Sequence, residues 1–199
     1  PWAEYEDRLV VNPSYFAPRS YAILTRATRD DVWQELSASS RRLAAELTAD
    51  GTQLPPNWAV IRDTAINPSG PPGNEGEAPN YGFDAARLPL RYAESCDKRD
   101  RAIAAGVWQV LEPRGIDELS TRHDLDGERN EGGAHPVGLV GAAGAAQAAG
   151  EKGTMRELLR RAEESDEDFP TYYGSALIAL GRLMLTTDRL GPCAARKNA

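Results

Sequence analysis

The sequence has few of the residues that build metal sites and disulfide scaffolds. It holds two cysteines, Cys96 and Cys193, far apart in the chain. Such a pair fits neither a disulfide framework nor a zinc site, and a single bridge between the two stays open. Asp124-Leu125-Asp126-Gly127 starts like a calcium loop, but its glycine comes too early and the terminal glutamate is not in place, so it reads as a turn. No metal or cofactor is therefore expected. Long apolar runs are also lacking. The longest, around Val137 to Ala149, is broken by glycines and too short to span a bilayer, so no membrane partner is expected. There is no basic cluster with interleaved aromatics, and 23 Lys+Arg against 30 Asp+Glu give a net charge of −7. That balance argues against nucleic acid and leaves neutral polymers open. No signal-peptide pattern occurs, but the chain opens on Pro1-Trp2 without an initiator Met, so a leader or a longer N-terminal segment is expected to precede it.

The 199 residues suffice for one domain with its own core. Helical periods dominate. After the aromatic, proline-marked stretch Val10 to Pro18, in which Asn12 and Tyr15 are candidates to face a cleft, a short helix is predicted from about Pro18 to Arg26. Thr28 with Asp31 reads as a capping box for the next helix, with Val32, Trp33, Leu36, Leu43 and Leu47 as its apolar stripe and Asp50-Gly51 as its stop. From Thr52 to Asn80 no helical period survives, although Trp58-Ala59-Val60-Ile61 suits a brief strand; a loop of that length is functional or disordered.

Asp97 is placed to cap a helix carrying Ile103, Val107, Val110 and Leu111, closed by Pro113, and the chain then reads as irregular as far as His135. Pro136 opens a helix whose glycines, 138, 141 and 144, cost about 1 kcal/mol each relative to alanine. Close approach of neighbouring helices is the expected reason for them. Thr154 and Glu157 read as a second capping box, before a helix that buries Met155, Leu158, Leu159 and Ala162. Pro170-Thr171 introduces the last helix, with Leu177, Leu180, Leu183 and Met184 in period, and the tail from Thr186 is expected to fray. Strongly amphipathic helices thus alternate with small, apolar ones, as two concentric rings of helices require.

The chain is organised around Tyr81-Gly82-Phe83-Asp84-Ala85-Ala86-Arg87-Leu88-Pro89-Leu90-Arg91, where a Pro/Gly/Asn-rich loop gives way to a helix. Asp84 is expected in the first turn, near unpaired backbone N–H groups and the positive end of the helix dipole, where a carboxylate is stabilised. Arg87 shares its face three residues on, and a guanidinium there can hold one carboxylate oxygen and leave the other to water. The local pattern suits a structural ion pair at a helix start as well as a general base.

Read in order, Asn12-Pro13-Ser14-Tyr15-Phe16, Pro56-Asn57-Trp58, Tyr81 to Arg87, and Tyr172-Tyr173-Gly174-Ser175-Ala176-Leu177 resemble glycoside hydrolase family 8, the endoglucanase, chitosanase and xylanase group, over most of the chain. The resemblance implies an all-α (α/α)6 toroid with a substrate cleft across one end, and an inverting mechanism. It implies Asp84 as the catalytic general base and Arg87 as the arginine that accompanies it. Tyr81 lies beside the base in the same motif, Tyr15 and Trp58 match aromatic cleft positions, and Tyr172 and Tyr173 match the tyrosine pair that opens the last inner helix. For each aromatic, a core role in fixing the ring is as open as contact with sugar. Trp2 is a further candidate stacking platform.

The sequence also departs from the family. No stretch matches the proton-donating glutamate of the N-terminal half or the cleft aspartate that follows it, and Glu4 and Glu6 stand in the wrong context. The length holds about six or seven helices, against the twelve of a full toroid. Residues 1–199 therefore read as the C-terminal part of a single (α/α)6 catalytic domain. The N-terminal half of the same enzyme is the expected partner, needed to cover inner helices such as Pro136 to Ala149. The resemblance implies a secreted, endo-acting, inverting hydrolase of a β-1,4-linked polysaccharide, cellulose-like glucan first among them. The alternatives are a non-catalytic glycan-binding module and a helical interaction scaffold, because the general-acid motif is missing.

Overall fold

The computed structural model describes residues 3–130, 132–190 and 193, so the Trp2 expectation lies outside the described residues. Helices dominate, with one small sheet at the N-terminal side. Strands β1 (Ala3–Glu4), β2 (Leu9–Val11), β3 (Trp58–Arg62) and β4 (Ala65–Ser69) run antiparallel in the order β1-β2-β3-β4. The strand expected at Trp58 to Ile61 is present, but the sequence reading missed its neighbours. Val10 pairs with Val60, and Val60 with Asn67 across a hairpin that turns at Asp63 (φ 53°). Pro68 withholds an N–H from the sheet, and β4 is an edge strand, where that loss is tolerated. The long stretch from Thr52 to Asn80 is thus partly ordered as this hairpin.

Helix α1 (Pro18–Thr28) has proline in its first turn and ends at Arg29, which takes the left-handed conformation (φ 58°). The capping box expected at Thr28 does not form. The Thr28 hydroxyl donates back to the Leu24 carbonyl at 2.9 Å, and Asp30 accepts from the Val32 N–H at 3.0 Å to start α2 (Val32–Leu47). The apolar stripe of α2 is also shorter than expected. Ser40, Ala44 and Leu47 are buried, Leu47 against Val11 and Ala59 of the sheet, whereas Val32 and Leu36 are exposed.

Helix α3 (Arg87–Ala93) leads to α4 (Lys98–Leu111), which Asp97 caps by accepting from the Arg99 N–H at 2.9 Å. Helix α5 (Pro136–Ala149) forms the centre, packed by α3, α4, α6 (Lys152–Asp168) and α7 (Tyr172–Thr186). Every residue from Pro136 to Ala146 is buried. A Cβ at Gly141 would collide with the Ala86 carbonyl oxygen, and one at Gly144 would sit 2.7 Å from Leu90 Cα. The glycines therefore let the backbone of α3 approach α5, and methyl groups would force the helices apart.

The expectation that α5 leaves an apolar face uncovered is not met, because four helices enclose it within this chain. Exposed apolar side chains lie elsewhere, among them Ile23, Val32 and Leu36 on the first two helices, Phe169 before the last helix, and Tyr172 and Leu180 on it. Leu180 thereby departs from the buried period of α7, which runs through Leu177, Ile178, Gly181 and Leu185. Helix α6 buries Met155, Leu158, Leu159 and Ala162 as expected, but the Thr154 capping box does not form. The helix starts earlier, at Lys152, and the Thr154 hydroxyl donates to Glu151 Oε2 at 3.0 Å. Thr171 caps α7 by accepting from the Gly174 N–H at 2.9 Å. Beyond α7, Cys193 forms a disulfide with Cys96 in the α3–α4 connection. The tail expected to fray is therefore tied at that residue.

Candidate active site

Asp84 does not lie in the first turn of α3, as expected, but in the turn of residues 83–86 that feeds it. There the N–H of Ala86 bonds to the Gly82 carbonyl and that of Arg87 to the Asp84 carbonyl. The turn is fixed from outside by Asn57. Its Oδ1 accepts from the Ala85 N–H at 2.9 Å, and its Nδ2 donates to Asn80 Oδ1 at 2.8 Å. Gly82 makes room for that amide pair, since a Cβ there would sit 2.8 Å from Asn57 Nδ2.

The Asp84 carboxylate is one-third exposed. Arg87 Nη2 donates to its Oδ1 at 2.5 Å, and among the described residues Oδ2 has no hydrogen-bond partner. The same Arg87 nitrogen donates to Ser14 Oγ at 2.6 Å, and Ser14 Oγ lies 2.6 Å from Asn12 Oδ1. The guanidinium also sits over the Tyr15 ring, 5.3 Å from its centroid. Burial raises the Tyr173 phenol above its usual pKa; the charge of Arg87 opposes the shift and that of Asp84 adds to it, which brings Tyr173 into the same group.

On its open side Asp84 lines a cleft of about 570 Å³, together with Asn57, Trp58, Glu77, Asn80, Phe83, Arg122 and Asn130. Arg122 and Asn130 come from the irregular stretch after α4. A buried histidine organises that stretch: His123 Nδ1 and Nε2 lie 3.1 and 2.9 Å from the carbonyl oxygens of Gly127 and Ser120. His123 also bridges to Tyr81 through backbone hydrogen bonds in both directions. Phe83 packs edge-on against His135, whose Nδ1 accepts from the Val137 N–H and so caps α5; burial lowers the pKa of that imidazole.

The structure thus gathers Asp84, Arg87, Tyr15 and Tyr173 into one cluster and puts Trp58 on the cleft wall beside Asp84. Two expected residues fall elsewhere. Tyr81 is 1% exposed, in the main core, and burial alone pushes its phenol upward in pKa. Its place in the motif is explained by the backbone contact with His123 rather than by exposure to a ligand. Tyr172 is 92% exposed at the start of α7. The sequence reading passed over Asn57, Asn80, Phe83, Arg122 and Asn130. Asn57 and Phe83 stand inside the motifs that carry Trp58 and Asp84; Asn80, Arg122 and Asn130 carried no local signal, and it is the His123 turn that brings the Arg122 and Asn130 loop to the cleft.

Known proteins share this arrangement of elements. The chain is 26% identical over 191 residues to Endoglucanase A of Acetivibrio thermocellus, covering 92% of this chain and 38% of that protein. It is 27% identical over 110 residues to an endoglucanase of Cellulomonas uda, covering 54% of this chain and 29% of that protein. Among solved structures, the beta-1,3-1,4-glucanase from Paenibacillus sp. X4 superposes with a TM-score of 0.76 at 14% identity, over 88% of this chain and 49% of that one. The endoglucanase from Komagataeibacter sucrofermentans gives 0.68 at 21% identity, over 94% and 54%. The chain spans well under half the length of these curated relatives and about half that of the solved ones, so its helices correspond to part of an (α/α)6 ring. A profile of glycosyl hydrolases family 8 matches residues 2–187, nearly the whole chain, and on that match the chain belongs to this family.

Proposed function

We propose that this chain supplies the general-base half of an inverting endo-β-1,4-glucanase. One observation carries the reading: Asp84 opens into the cleft with one oxygen tied to Arg87 and the other without a partner among the described residues. A carboxylate held in this way can take a proton from water while the guanidinium keeps it from turning toward the sugar carbon. Trp58, on the same wall, offers an apolar face of the kind that packs on a sugar ring. The cleft lining carries two acids, Glu77 and Asp84, and one base, Arg122, with Arg87 behind Asp84. A neutral glucan suits this balance better than a polycationic chitosan, which calls for a surplus of acids.

The proton donor, in this reading, is a glutamate from the N-terminal half of the enzyme. That half docks against apolar side chains that this chain exposes, Ile23, Val32 and Leu36 on α1 and α2 and Leu180 on α7. Secretion accords with the Cys96–Cys193 disulfide, a bond favoured in oxidising compartments.

The test is hydrolysis of carboxymethylcellulose and chitosan, by reducing-end assay, with this chain alone and with the matching N-terminal half added. Activity only in the mixture, and on the glucan, is expected. Cutting by the chain alone would overturn the division of acid and base and turn attention to Glu77, the other lining carboxyl group among the described residues.

A further inference from the structure

Arg87 is held from behind as well as from in front. Ser14 and Asn12 are each only 4% exposed and lie in the turn after β2, 73 residues from Arg87 in the case of Ser14. The direction of each hydrogen bond can be assigned from chemistry. Arginine only donates, so Ser14 Oγ accepts from Arg87 Nη2 and must spend its own proton elsewhere. That proton goes to Asn12 Oδ1, at 2.6 Å. The same oxygen accepts from the Ser14 backbone N–H at 3.1 Å, which fixes the asparagine amide with its oxygen toward Ser14.

Both hydrogens of Nη2 are thereby used, one on Ser14 Oγ and one on Asp84 Oδ1, while Nε lies 3.3 Å from the Asp84 carbonyl oxygen. Ser14 thus shares with the Tyr15 ring and Tyr173 the hold on the guanidinium, and among the described residues Asp84 Oδ2 keeps no hydrogen-bond partner beside the cleft. Without Ser14, the second hydrogen of Nη2 lacks a partner, and the guanidinium can turn to take both carboxylate oxygens in the bidentate manner arginine favours. That would occupy the oxygen a water needs.

We propose that Ser14, oriented by Asn12, is a positioning residue that acts through Arg87 to keep one oxygen of Asp84 free. The proposal rests on the reading of Asp84 as the base. Its test is a double-mutant cycle in the ring-completed enzyme, with Asp84→Asn as control and one spectroscopic readout on this chain alone. Ser14→Ala is expected to lower kcat about tenfold with KM within twofold, and to have no further effect in an Arg87→Ala background, because its route is already gone. Losses that multiply, or a kcat within twofold of the parent, would overturn it. If Ser14→Ala does not fold, Asn12→Ala carries the same comparison.

On this chain alone, the Arg87 guanidinium N–H signals in NMR are expected to be distinct in the parent and averaged in Ser14→Ala; signals that do not change would overturn the proposal whatever the kinetics. An inactive Asp84→Asn beside a fully active Ser14→Ala would sink the positioning role alone. An active Asp84→Asn would remove the base assignment, and the positioning role with it.

Discussion

Replacing Asp84 by asparagine in the ring-completed enzyme is expected to cut turnover by about 10² to 10⁴, the usual cost of losing a general base, with glucan affinity little changed. The asparagine keeps the shape of the side chain. Its amide oxygen can still accept from Arg87, which now reaches Oδ1 of Asp84 at 2.5 Å, so the turn and its contacts survive. What is lost is the ability to take a proton from water on the cleft side. The measurement is kcat and KM on a soluble glucan beside a melting curve. A drop in stability with unchanged turnover would mean that Asp84 and Arg87 form only an ion pair that starts α3.

The second large effect concerns stability. The Cys96–Cys193 bridge closes a loop of 97 residues that contains α4, α5, α6 and α7. In the chain-entropy view such a loop stabilises by about 4–5 kcal/mol, and removing native disulfides from small domains typically costs about 2–5 kcal/mol. For a domain of this size, Cys96→Ser or mild reduction is expected to lower the melting temperature by roughly 5–20 °C. Cys96 is exposed, so a reductant can reach it without prior unfolding. Below the new transition the site is expected to keep its structure, because Asp84 precedes α3 whereas Cys96 follows it. Differential scanning calorimetry with and without reductant checks the shift. A change below 2 °C would show that packing of α7 on α5 and α6, and not the bridge, holds the last helix.

How much of this was legible in the sequence depends on how local each signal was. Helix α5 was readable because its glycines recur at a spacing of three between alanines and valines, and the contacts of Gly141 and Gly144 with α3 supply the reason. Asp97 was readable as a cap because it stands two residues before the N–H it bonds, and Pro170-Thr171 marked the start of the last helix, which Thr171 proves to cap. The two capping boxes that failed, at Thr28 and Thr154, matched the same spacing rule, but each hydroxyl found a closer partner in the preceding turn: Leu24 for one and Glu151 for the other. The sheet was mostly missed. Leu9–Val11 is three residues long, and β4 contains a proline, so neither shows a period of two over enough residues to be seen.

The site was half legible. Asp84 and Arg87 stand three residues apart, and the motif naming them also carries the turn that presents them. Asn12 and Ser14 stood in the first motif, but the contact of Ser14 with Arg87 crosses α1 and α2 in sequence, and Arg122 and Asn130 reach the cleft through a histidine turn. Such encounters depend on the tertiary fold and leave no spacing to read. The same holds for the disulfide, whose partners are 97 residues apart. Tyr81 misled for a related reason: it adjoins the site in sequence, yet its side chain turns into the core while the next two residues bring Asp84 to the cleft.

The central claim is that Asp84 activates water and does not attack the sugar itself. A water must then fit between its free oxygen and the anomeric carbon, which demands carboxyl groups roughly 6.5–9.5 Å apart, against about 5 Å where the second carboxylate is a nucleophile. The outcome is visible in the first product. Proton NMR of a glucan digest by the ring-completed enzyme, recorded before mutarotation, is expected to show the α-anomer appearing first. An initial β-anomer signal would mean retention of configuration and would contradict the role given to Asp84.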